Sequence, residues 1–100
     1  MVIITVNLQE AKKLIQQYKN NSDFVILDVR TSAEFTKGRL RGAVNINIYD
    51  GLFKKNLESL DRKKTYLVYC HAGVRSSMAV EIMQKRGFAK IYNLNGNIFE

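Results

Sequence analysis

Apolar and polar positions along this chain follow two alternating regimes. Short continuous apolar runs read as strands: Val2 to Thr5, Phe24 to Leu27, Thr65 to Tyr69 and Ile91 to Leu94, with Gly42 to Ile46 as a further short strand. Between them, apolar residues recur at helical spacing. Asn7 and Glu10 form an N-cap pair opening a helix with Leu8, Ala11, Leu14, Ile15 and Tyr18 on one face. Thr31 and Glu34 form a second capping box, and Gly38 stops that helix. A short helix is expected within 49–60, with Leu52, Phe53, Leu57 and Leu60 facing inward. The last helix starts after a loop at 70–76 and runs to about Arg86; it buries Met78 or Ala79, Ile82 and Met83 before Gly87 caps it.

Strands and helices alternate throughout, which predicts an α/β fold: about five strands in a mostly parallel sheet with helices on both faces. Such sheets bind ligands at the carboxyl ends of their strands. Two polar stretches fall there, Asp28-Val29-Arg30 and the loop after Tyr69.

Composition narrows the possibilities. One hundred residues, 46% hydrophobic and 25% charged, suit a single domain spanning 1–100. One cysteine and one histidine offer neither a disulfide framework nor a multi-ligand metal site, so no metal or other cofactor is expected. The opening Met1-Val2-Ile3-Ile4-Thr5-Val6 has no basic leader, and its apolar run is far shorter than a membrane span, which predicts a cytoplasmic protein with no membrane partner. The net charge of +7 comes from scattered pairs and a triplet, such as Lys54-Lys55 and Arg62-Lys63-Lys64, without interleaved aromatic residues. That pattern argues against nucleic acid and for steering a small anionic substrate or a partner protein.

The candidate chemistry lies at Cys70. A buried cysteine is commonly an inert small hydrophobe. Here the thiol stands at the end of an apolar strand and is followed by His71, Ala72, Gly73, Val74, Arg75 and Ser76. A glycine, an arginine and a serine make a poor core and a good anion loop, and the helix that follows points its positive end at the sulfur. A free thiol titrates near 8.5, so depressing it by about two units requires about 2.7 kcal/mol of preference for the thiolate. His71 adjoins Cys70 in sequence and lacks an orienting third group; it reads as a loop residue whose amide matters more than its ring. Asp28 and Arg30 are a candidate supporting pair, or an ordinary structural ion pair.

Two stretches resemble the rhodanese family of sulfurtransferases in its small single-domain form. Asp28 to Phe35 with Gly38 and Gly42 to Ile46 is similar to the first family signature; Cys70 to Ser76 is similar to the active-site loop, and Leu94 to Phe99 to the closing motif. There are three departures: Arg39 stands where histidine is common, Asn97 where a second glycine is common, and the chain stops before a full terminal helix. The resemblance implies a rhodanese-like fold with Cys70 as the catalytic residue of a thiosulfate sulfurtransferase. It would take a sulfane sulfur from a small anionic donor such as thiosulfate and pass it from a persulfide to a thiol or cyanide acceptor. Residues 71–76 would bind the substrate, with Arg75 either holding the anion or shaping the loop.

Two alternatives stand beside this one. A sulfur-relay or regulatory module would dock a partner protein with little turnover of its own. A cysteine phosphatase would need a Cys-x5-Arg ring around its phosphoryl group, whereas four residues separate Cys70 from Arg75, a tighter ring better suited to one sulfur atom.

Overall fold

The structure, a computed structural model, describes residues 2–97. Five parallel strands form one sheet in the order β1-β5-β4-β2-β3. They are β1 (Val2–Val6), β2 (Phe24–Asp28), β3 (Val44–Asn45), β4 (Thr65–Tyr69) and β5 (Lys90–Leu94). The helices are α1 (Leu8–Gln17), α2 (Ser32–Lys37), α3 (Phe53–Asn56) and α4 (Val74–Lys85), with a 3₁₀ turn at Leu57–Ser59.

Side chains alternate across the central strands and divide the core in two. Tyr66 and Val68 of β4, and Cys70 just after it, join Phe53, Leu57, Ala79, Val80 and Met83, the residues of α3, the 3₁₀ turn and α4. Leu67 and Tyr69 point the other way, to Val6, Ala11, Tyr92 and Leu94, with Leu8, Leu14 and Ile15 of α1 packed against them. Burial on both faces explains why β2 and β4 read as unbroken apolar runs. Each fully buried large aliphatic side chain contributes about 1.5–3 kcal/mol.

Both capping boxes form. Asn7 accepts from the Glu10 amide while the Glu10 carboxylate accepts from the Asn7 amide, and Thr31 and Glu34 repeat the arrangement at α2. Gly38 follows α2 as its C-cap, and Gly87, at φ 83°, follows α4.

Two expectations need correction, and one open alternative is resolved. Leu52 is 57% exposed rather than inward, because it precedes α3 in a turn held by the Asp50 carboxylate, and α3 itself is a single turn continued as 3₁₀. Met78 is exposed and Ala79 is the buried member of that pair. The third strand is only Val44–Asn45, because Gly42, at φ 81°, lies in a turn in which the Ala43 amide donates to the Leu40 carbonyl. Of the Leu94 to Phe99 stretch, residues 98 and 99 lie outside the described residues.

Candidate functional site

Cys70 directly follows β4 at the carboxyl edge of the sheet and is 1% exposed. The chain then turns at Gly73, whose φ of 101° is a left-handed conformation that side chains rarely adopt. That turn aims the Gly73 amide back at the Cys70 Sγ, 3.0 Å away, and launches α4 in the same step. The Gly73 carbonyl accepts from the Ser77 amide and both the Ser76 and Ser77 hydroxyls, so the loop is tied to the first turn of α4.

Two opposing effects act on the thiol. Burial pushes it up; the Ser76 amide and hydroxyl and the Gly73 and Ala72 amides outweigh burial and hold it below its ordinary value. The Ser76 hydroxyl, itself fully buried, shares its one proton between the Gly73 carbonyl at 3.1 Å and the Leu94 carbonyl at 3.4 Å as well. Donors converging on one buried sulfur, at the N-terminus of a twelve-residue helix, favour an anion there.

Arg75 does not project freely over this cradle. Its Nη1 and Nη2 donate to Glu34 Oε1 at 2.6 Å and Oε2 at 3.0 Å, a bidentate pair that ties the loop to the start of α2. Tyr49 lies over the guanidinium, 5.8 Å from ring centroid to Cζ. The guanidinium beside Glu34 holds its carboxyl down at about 2, against the opposing effect of burial. Glu34 in turn raises Arg75 above its usual value, and the nearby Cys70 charge adds to that.

Asp28 and Arg30 are both buried, at 0% and 4% exposure, and lie with Tyr69 on the opposite face of the sheet from Cys70. Asp28 accepts from the Arg30 backbone amide, from Nε and Nη2 of the Arg30 side chain and from the Tyr69 hydroxyl at 2.8 Å. Arg30 also donates to the Gly38 carbonyl, and the Tyr69 oxygen accepts from the Leu40 amide. Burial pushes the Tyr69 phenol up to about 12, so it stays protonated and keeps donating. The network reaches the chemistry through Tyr69, the residue before Cys70, and fixes the strand end that presents the sulfur.

The structure therefore brings Cys70, Gly73 and Ser76 together, with the Ala72 amide also acting on the sulfur. It leaves His71 and Ala72 as exposed loop residues and Val74, the first residue of α4, 72% exposed. Sequence reading missed Glu34 and Tyr49 as neighbours of the loop. Glu34 was accounted for by its helix cap, and its second partner lies 41 positions away, beyond any local signal. A separate cavity of about 550 Å³, lined by Tyr18, Phe24, Ile26, Arg41 and Val44 among others, does not include the Cys70 loop. Among the described residues no three His, Cys, Asp or Glu side chains converge as a metal site would require, and no helix is long and apolar enough to cross a membrane.

Comparison with known proteins identifies the family and the fold. The family model for the rhodanese-like domain matches residues 7–100. A sulfurtransferase of Allochromatium vinosum is 26% identical over 93 residues, covering 93% of this chain and 85% of that protein. The putative sulfur carrier protein YrkF of Bacillus subtilis is 34% identical, but the match covers 79% of this chain and only 42% of YrkF. The tRNA uridine(34) hydroxylase of Cytophaga hutchinsonii is 33% identical, and there the match covers 82% of this chain and 27% of the enzyme. Among solved structures, the rhodanese-like domain protein of Staphylococcus aureus superposes with a TM-score of 0.78 at 26% identity, covering 96% of this chain and 88% of that one.

Proposed function

The chain belongs to the rhodanese-like domain family, and we propose that it acts as a single sulfur-transfer domain in which Cys70 is the catalytic residue. The observation that carries this reading is the ring of donors on the Cys70 sulfur, led by the Gly73 amide at 3.0 Å. The thiolate attacks the outer sulfur of a sulfane donor. The donor's sulfur–sulfur bond breaks, its pair of electrons leaves with the donor remnant, and Cys70 becomes a persulfide. The same amides then receive the terminal sulfur anion. An acceptor thiolate or cyanide attacks that terminal sulfur and restores the Cys70 thiolate. Neither half-reaction requires a general base, which fits His71 as an exposed loop residue.

Ser76 serves as a positioning and donor group, Arg75 as the tie between loop and α2, and Asp28 and Arg30 as the anchor of Tyr69. Sulfurtransferase and sulfur-carrier relatives both support the reading, and the sulfur-carrier relative favours a protein among the acceptors. Intact-mass measurement after exposure to sulfane donors tests it. One added sulfur on the wild type, absent from Cys70→Ala and removed by cyanide, is expected. No adduct with any donor contradicts the proposal, while an adduct released only to a protein acceptor selects the relay form of it.

A further inference from the structure

The sulfur donor has a charge requirement that the loop itself reveals. Arg75 is the one arginine or lysine between Cys70 and Ser76. A doubly charged donor such as thiosulfate, whose sulfonate stays at the mouth while its outer sulfur meets the thiolate, would need that cation. Both terminal nitrogens of Arg75 are already bonded to the Glu34 carboxylate, at 2.6 and 3.0 Å. The Arg75 side chain is only 16% exposed, and Tyr49 lies over its guanidinium. To an incoming anion the pair is a neutral object with a carboxylate on its rim.

The backbone amides and the Ser76 hydroxyl are the remaining donors at the sulfur, and they converge on a point rather than on a sulfonate several ångströms wide. The net charge of +7 attracts anions to the molecule at long range, but that attraction is screened over about 8–10 Å at ordinary salt and supplies no contact in the loop.

We infer that Glu34 sets donor specificity: by neutralising Arg75 it directs Cys70 to draw sulfur from low-charge alkyl persulfides rather than from thiosulfate. This rests on Cys70 being the sulfur acceptor. The favoured step is balanced as written: the Cys70 thiolate attacks the outer sulfur of R–S–SH, its sulfur–sulfur bond breaks, and R–S⁻ leaves, giving the Cys70 persulfide with no net oxidation. With thiosulfate the same attack expels sulfite, which must depart beside the Glu34 carboxylate.

The test compares wild type with Glu34→Gln, using the dianion thiosulfate and 2-hydroxyethyl persulfide, which carries at most one negative charge and no sulfonate, as donors and intact mass to follow Cys70 persulfide formation. Glutamine can still accept from Thr31 and from one Arg75 nitrogen but removes the negative charge. The half-saturating concentration of thiosulfate is expected to fall about tenfold, equivalent to about 1.4 kcal/mol, with a smaller change in the limiting rate. The rate with the alkyl persulfide is expected to change less than about threefold, a spread ordinary for a change beside the site. Glu34→Asp, too short to hold both nitrogens, gives a smaller shift in the same direction and serves if the glutamine variant folds poorly. A donor preference that neither variant moves overturns the inference, as does a wild type saturated by thiosulfate as readily as Glu34→Gln. Those results leave Cys70 as the sulfur acceptor intact; only absence of any adduct from either donor reaches that underlying reading.

Discussion

Replacing Gly73 with alanine separates the backbone that shapes the loop from the thiol that the loop serves. At φ 101° an alanine incurs the left-handed penalty of about 1–2 kcal/mol. Its Cβ would also stand 3.1 Å from Asn95 Oδ1, with the Gly96 amide nitrogen at 3.5 Å and Asn95 Cα at 3.6 Å. Asn95 is exposed and its side chain can turn aside, at a rotamer cost on the order of 0.5–1.5 kcal/mol. The sum is about 1.5–3.5 kcal/mol of lost stability, read from urea denaturation. Relaxing the strain moves the Gly73 amide off the Cys70 sulfur. A hydrogen bond to a charged group is worth about 1.5–3 kcal/mol, so the thiol should rise by about one to two pH units.

Gly87→Ala is the matched control. It carries a similar φ of 83° with nothing within 4 Å of the new methyl, so it should lose only the backbone penalty and leave the thiol unmoved. A Gly73→Ala protein that is destabilised while its thiol titrates as in wild type would refute the reasoning, because the amide would then not be what holds the thiolate.

Two further outcomes follow from the buried charges. Asp28→Asn leaves the Arg30 guanidinium buried without its counter-charge and turns an amide toward some of the donors now satisfied by the carboxylate, so a loss of about 3–5 kcal/mol is expected in denaturant titration. A loss under about 1 kcal/mol would show that Arg30 has another outlet. Glu34, depressed to about 2 in the fold, contributes stability that is fully present above its unfolded value near 4.5 and disappears as pH falls through about 2. Because the Glu34 side chain is 34% exposed, screening reduces the contribution to about 1 kcal/mol, seen as a steeper acid arm in wild type than in Glu34→Gln.

Most of the fold was legible because its determinants are local. The capping pairs Asn7/Glu10 and Thr31/Glu34 each lie within one turn of helix, and the apolar runs of β2 and β4 announce burial on both faces. Cys70 was legible for the same reason: strand, thiol, glycine and helix start follow one another without a break. Long-range pairings were not legible. Nothing near Glu34 signals Arg75, and the apolar setting of Tyr69 hides a hydroxyl that closes the Asp28 network. Leu52 failed from the opposite cause, since its place in a helical pattern says nothing of a turn organised by Asp50.

The most direct test of the account is the pH dependence of Cys70 itself, followed by thiolate absorbance or by the rate of alkylation with a neutral reagent. Cys70 is the only cysteine in the chain, so the signal is unambiguous. A titration midpoint below the free-thiol value of about 8.5 is expected in the folded protein, returning to that value on unfolding. A folded midpoint at or above 8.5 would mean that burial wins over the loop amides, and would contradict the claim that this loop holds a thiolate.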